Sequence, residues 1–112
     1  MMTTVQERRA SPRVSVQFPI YYFYFAPSLS RPSVYTLNLS ETGGLVEAFD
    51  PLKPGTTVAF QMITAGREVV DVRAQVVRLD QINHKYHVGV RFTHLSDSDR
   101  AVLGRELQRA SA

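Results

Sequence analysis

Val70, Val72, Ala74 and Val76 fall on one parity of a valine-rich stretch, with Asp71, Arg73 and Gln75 between them. Alternation with a period of two marks a strand that buries one face. The same alternation returns at Val14, Val16, Phe18 and Ile20. It returns again at Tyr86, Val88, Val90 and Phe92, separated by His87, Gly89 and Arg91. Clusters of Gly, Pro, Ser, Asn and Asp divide these runs at intervals of about 8–14 residues, a spacing that favours a small antiparallel barrel or sandwich. Closing the barrel would also remove exposed sheet edges.

The expected strands are 14–25, 34–39, 45–49, 56–63, 67–79 and 86–92, with turns at 40–44, 50–55, 65–66 and 80–85. Segment 26–32, with two prolines and three serines, reads as a loop. Pro19 has no amide to donate, so it implies an edge position or a bulge in the first strand. From Tyr21 to Phe25 the run is aromatic on both parities, which suits core packing and equally a partner surface. Continued alternation would carry Arg78 onto the parity of Val70–Val76. At the end, Ser96, Asp97, Ser98 and Asp99 supply an N-cap and first-turn acids for a helix, with an apolar stripe of Val102, Leu103, Leu107 and Ala110. The expectation is a mostly all-β fold: a six-stranded antiparallel barrel, a short C-terminal helix and a flexible N-terminal arm.

At 112 residues the chain fits one domain. Segment 1–7 is expected to be disordered and 8–110 to form the domain. The absence of cysteine excludes a disulfide scaffold, a thiolate nucleophile and a cysteine zinc site. The longest apolar run, 18–26, is far short of the roughly 20 residues a membrane span needs. The first residues carry no apolar signal region, so the expected location is the cytoplasm. A formal net charge of +3 suits an anionic partner.

Two polar elements carry the chemistry. Arg8, Arg9 and Arg13 precede the first strand, and Pro12 keeps that arm out of helical geometry. Arg9 and Arg13, four residues apart, span roughly 13 Å on an extended backbone. Guanidinium forks donate paired hydrogen bonds to phosphate, pair with guanine O6 and N7, and stack on bases. Asn38, Ser40 and Gly43 form N-x-S-x-x-G at a turn, where Asn and Ser cap backbone amides and Gly relieves steric strain. Taken singly, the arm suits a solvated terminus and the turn a structural one.

Together, Arg9-Ala10-Ser11-Pro12-Arg13 and Asn38-Leu39-Ser40-Glu41-Thr42-Gly43 resemble the R-x-x-x-R and D/N-x-S-x-x-G motifs of the PilZ domain, the bacterial receptor module for cyclic di-GMP. The run 86–92 followed by a helix is similar to that family's closing strand and helix. The resemblance implies a non-enzymatic receptor whose arm orders over cyclic di-GMP and whose signal passes to a separate effector protein. It implies that Arg9 and Arg13 contact phosphate and guanine, that Asn38 bonds a guanine edge, that Ser40 meets phosphate or base, and that Gly43 permits close backbone approach. Arg8, directly before the motif, implies two stacked ligand molecules. Asn38 stands where Asp is commoner, and it offers one acceptor oxygen instead of two.

Other chemistry is poorly supplied. His84, His87 and His94 lack a fourth ligand, so no metal or cofactor is expected. No nucleophile elbow, paired carboxylates or phosphate-cradling P-loop is present. Arg73, Arg78 and Arg91 read as solvated strand residues, with Arg78 within reach of a bound nucleotide. Two alternatives stand beside the receptor: a PilZ-like adapter that binds no nucleotide, and a small barrel for single-stranded nucleic acid. The modest charge and scattered arginines argue against DNA or RNA as the partner.

Overall fold

The computed structural model describes residues 13–25, 28–29 and 34–111. Among the described residues seven strands appear in chain order: β1 Pro19–Phe25, β2 Ser28–Leu29, β3 Val34–Leu39, β4 Gly43–Ala48, β5 Thr57–Ile63, β6 Val69–Ile82 and β7 Lys85–His94. A helix, α1, spans Asp97–Ser111. All pairings are antiparallel, in the order β2-β1-β3-β4-β7-β6-β5, and β5 returns to pair with β1. Six strands therefore close a barrel, and the two-residue β2 lies against β1 outside the closed circuit.

The alternating apolar residues fill the interior. Ile20, Val46, Val58, Met62, Val70, Ala74, Val76 and Val88 are each at most 2% exposed. Burying one such aliphatic side chain contributes about 1.5–3 kcal/mol, so this set supplies much of the drive to close the barrel. α1 packs on the same core through Leu103 and Leu107. Ser96 caps it, accepting the Asp99 amide on Oγ at 3.1 Å. Asp99 Oδ2 accepts the Asp71 amide at 3.2 Å, and Arg105 pairs with Glu68, so the helix is fastened to β6 and its preceding turn.

Several boundaries differ from the sequence expectation. The first ladder strand begins at Pro19, not Val14. Pro19 lacks an N–H but can open a strand, and ahead of it Val14 makes an isolated bridge to Leu39. Segment 26–32 contains β2, which pairs Tyr24 with Leu29. β6 runs to Ile82, so the expected turn at 80–85 shrinks to Asn83 and His84, with Asn83 at φ 58°. Asn tolerates that left-handed conformation better than most residues. The turn after β5, expected at 65–66, extends through Glu68, with Arg67 at φ 65°. On α1, Ala110 is exposed and Glu106 is buried, so the helix's buried face is Leu103, Glu106 and Leu107. The side chains of 21–25 lie outside the described residues, as does the choice between their two readings. Among the described residues, no helix is long and apolar enough to cross a membrane.

Candidate ligand site

The site begins with the way segment 13–18 is fixed to β3. Val14 and Leu39 exchange backbone hydrogen bonds of 2.7 and 2.8 Å. Farther along, Thr36 Oγ1 accepts the Phe18 amide at 2.9 Å and donates to the Val16 carbonyl at 2.7 Å. Val14 and Val16 turn toward the core, leaving Arg13 and Ser15 exposed. Arg13 Nη1 then donates to Asn38 Oδ1 at 3.0 Å. One residue of each motif therefore meets one of the other in space, 25 positions apart in sequence.

Asn38 belongs to a row of cross-strand partners on the outer barrel face. It pairs with Leu45 on β4, Leu45 with Gly89 on β7, and Gly89 with Arg78 on β6. A cavity of about 400 Å³ follows this row, lined by Arg13, Ser15, Asn38, Leu45, Val77, Arg78 and Gly89. Arg78 reaches this face through a register shift between Val76 and Arg78. Both Val77 and Arg78 stand against Gly89, and alternation resumes with Leu79 packed against the core. The bulge corrects the expectation that Arg78 shares the inward parity of Val76. A Cβ at position 89 would lie 3.3 Å from that of Arg78. Arg78 Nε meets Asp80 Oδ2 at 3.0 Å.

Ser40 and Gly43 hold the turn beside this cavity and do not line it. Ser40 is 3% exposed. Its Oγ accepts the Thr42 amide at 3.2 Å and lies 3.3 Å from the Gly43 carbonyl oxygen, which also accepts the Ser40 amide at 2.8 Å. A Cβ on Gly43 would lie 2.3 Å from the Val90 carbonyl oxygen, and one on Gly44 2.4 Å from the Asn38 carbonyl oxygen. The two glycines therefore let β4 sit against β7 and β3 at full ladder closeness. Arg8 and Arg9 lie outside the described residues.

The structure adds Ser15, Leu45, Val77, Arg78 and Gly89 to the residues chosen from the motifs. The Val76-Val77 doublet, which breaks the alternation of β6, was the available signal for Arg78. Its consequence depends on a register that one strand cannot display. One row farther along, Asp80 pairs with His87 and His87 with Glu47. Glu47 takes Lys85 at 2.8 Å, and its hydrogen bond and charge raise the Lys85 pKa above the ordinary lysine value. A larger groove of about 740 Å³ runs along α1, where Glu41 and Asp97 sit among Arg100 and Arg105. Its balanced charge suits an anion less well than the cavity of Arg13 and Arg78. Among the described residues, no three His, Asp or Glu side chains are placed to hold a metal ion.

The described residues thus form a closed six-strand antiparallel barrel with a polar cavity that has Arg13 and Arg78 in its walls. The PilZ domain model matches residues 7–109, and the chain belongs to the PilZ domain family. Among solved structures, the PilZ domain of YcgR from Escherichia coli, determined with c-di-GMP, superposes with a TM-score of 0.74 at 17% identity, covering 93% of this chain and 92% of that one. The Bacillus subtilis inhibitor of motility (MotI/DgrA) superposes with a TM-score of 0.71 at 15% identity over 93% of this chain. This chain spans 50% of that protein's length. No curated protein matches the sequence.

Proposed function

We propose that this chain is a non-enzymatic receptor for cyclic di-GMP, bound at the cavity shared by Arg13 and Asn38. The observation that carries this is the 3.0 Å contact between those side chains, which joins the two motifs at one cavity. Family membership supports the ligand class, and the E. coli relative was determined with c-di-GMP.

In this reading Arg13 donates to phosphate or to a guanine O6/N7 edge, and Arg9 does the same from the arm. Asn38 meets a guanine edge. Ser40 and Gly43 act by holding the turn that presents Asn38. The arm orders over the ligand, and that ordering costs entropy which binding must offset. The newly covered face is then what a separate effector protein reads. Arg8 supports a second, stacked ligand molecule.

Titration calorimetry tests the reading. Heat on adding cyclic di-GMP and a raised unfolding temperature are expected. The absence of both effects at high micromolar ligand would exclude the receptor. Two ligands per chain are expected if Arg8 supports a stacked pair, whereas one per chain withdraws that role and leaves the receptor standing.

A further inference from the structure

We propose that Arg78 grips a ligand phosphate from the wall opposite Arg13, and that Asp80 is the positioning residue that holds its guanidinium. The inference rests on the cyclic di-GMP reading above.

The placement depends on the β6 bulge. Val70, Val72, Ala74 and Val76 are buried, and Leu79 again packs against the core. Between them Val77 is 52% exposed and the Arg78 side chain is 67% exposed. Two consecutive outward residues bring Arg78 into the row of Gly89, Leu45 and Asn38. Glycine at 89 keeps the floor of that row low. Three strand spacings of about 4.8 Å separate Arg78 from Asn38 along the curved sheet, so the Cα atoms stand at most roughly 14 Å apart. Long side chains reaching inward from both walls can then hold a ligand between them. A cyclic dinucleotide presents two phosphodiesters on one ring and can offer one to each wall.

The bond to Asp80 suits this role. Asp80 approaches the guanidinium on its Nε side, so the Nη1–Nη2 edge of the fork can face a second anion. Phosphate takes such a pair of donors in parallel. An ion pair this exposed contributes little to folding, so stability does not explain it. Its effect is to fix the direction of a long side chain before ligand arrives.

Calorimetry on the full chain with cyclic di-GMP separates the outcomes. Arg78→Ala is expected to weaken binding by about tenfold or more, the loss of a charge-assisted hydrogen bond. Its unfolding temperature should match wild type. Arg78→Lys, which keeps the charge without the fork, should lose less. Asp80→Asn should weaken binding in the wild-type background and have no effect in the Arg78→Ala background. If Arg78→Ala binds like wild type while Arg13→Ala does not, this proposal falls and the receptor reading stands. Should Arg78→Lys bind as poorly as Arg78→Ala, the phosphate assignment is wrong. An equal effect of Asp80→Asn in both backgrounds removes its positioning role. If the wild-type chain itself gives no heat, both readings fall.

Discussion

Arg13 and Asn38 meet at 3.0 Å through a guanidinium donor and an amide oxygen. That contact takes one of the two lone pairs on the oxygen through which Asn38 would receive a guanine N–H, so the two donors must share a single atom. An amide has one acceptor oxygen, whereas a carboxylate has two. Asn38→Asp can therefore serve Arg13 and a base edge together. We expect Asn38→Asp to bind cyclic di-GMP more tightly than wild type, with a slower dissociation rate. Asn38→Ala should lose up to about tenfold, because a hydrogen bond between neutral groups contributes about 0.5–1.5 kcal/mol. Calorimetry on the three proteins checks the order, and unchanged affinity in both variants would remove Asn38 from the site.

The arm makes a separate prediction. Arg13 is exposed, so truncating it leaves the core untouched. Arg13→Ala and Arg9→Ala should each lose about tenfold or more in affinity while their circular dichroism and unfolding temperature match wild type. Wild-type binding by both variants would show that the arm does not grip the ligand.

Thr36 fixes the segment that carries Arg13. It is 1% exposed, and its hydroxyl satisfies the buried Phe18 amide and the Val16 carbonyl. Thr36→Val keeps the shape and removes both bonds. A buried amide left unsatisfied costs about 1–3 kcal/mol. Thermal unfolding should fall by roughly 4 °C for each kcal/mol lost in a domain of this size, and Thr36→Ser should restore most of the difference. A Thr36→Val protein as stable as wild type would show that this clamp is dispensable.

The alternation of apolar residues made the barrel legible because one face of each strand must be buried. Val70 through Val76 and Val88 with Val90 lie where their parity puts them. What the alternation could not display was register between strands. The bulge at Val77 turns Arg78 outward, and that depends on how β6 lies against β7. The short β2 was hidden because two residues show no periodicity. Glu106 took a buried place on α1 that composition alone would give to an apolar residue, with Arg109 Nη1 3.5 Å from its carboxylate. In the candidate site, Arg13 and Asn38 were legible from motif spacing. Ser15, Leu45 and Gly89 were not, because two strands and the segment before β1 contribute them and no local pattern links them.

Gly43 separates stability from binding. The close approach at this residue is that of β7: a Cβ would meet the Val90 carbonyl oxygen at 2.3 Å and the Arg91 Cα at 3.1 Å. Both obstacles are backbone, so neither can rotate away. Gly43→Ala must push β4 from β7, and overpacking of this kind costs about 1–3 kcal/mol. The shift would pass to Asn38 through the turn, since the Gly43 carbonyl accepts the Ser40 amide at 2.8 Å. The expected result is a lower unfolding temperature without ligand, together with weaker cyclic di-GMP binding at a temperature where the variant is still folded. Ser40→Ala removes the hydroxyl that accepts the Thr42 amide and should produce the same pair of effects in smaller measure. If Gly43→Ala instead kept full stability and lost only affinity, its glycine would be serving the ligand and not the β4–β7 ladder.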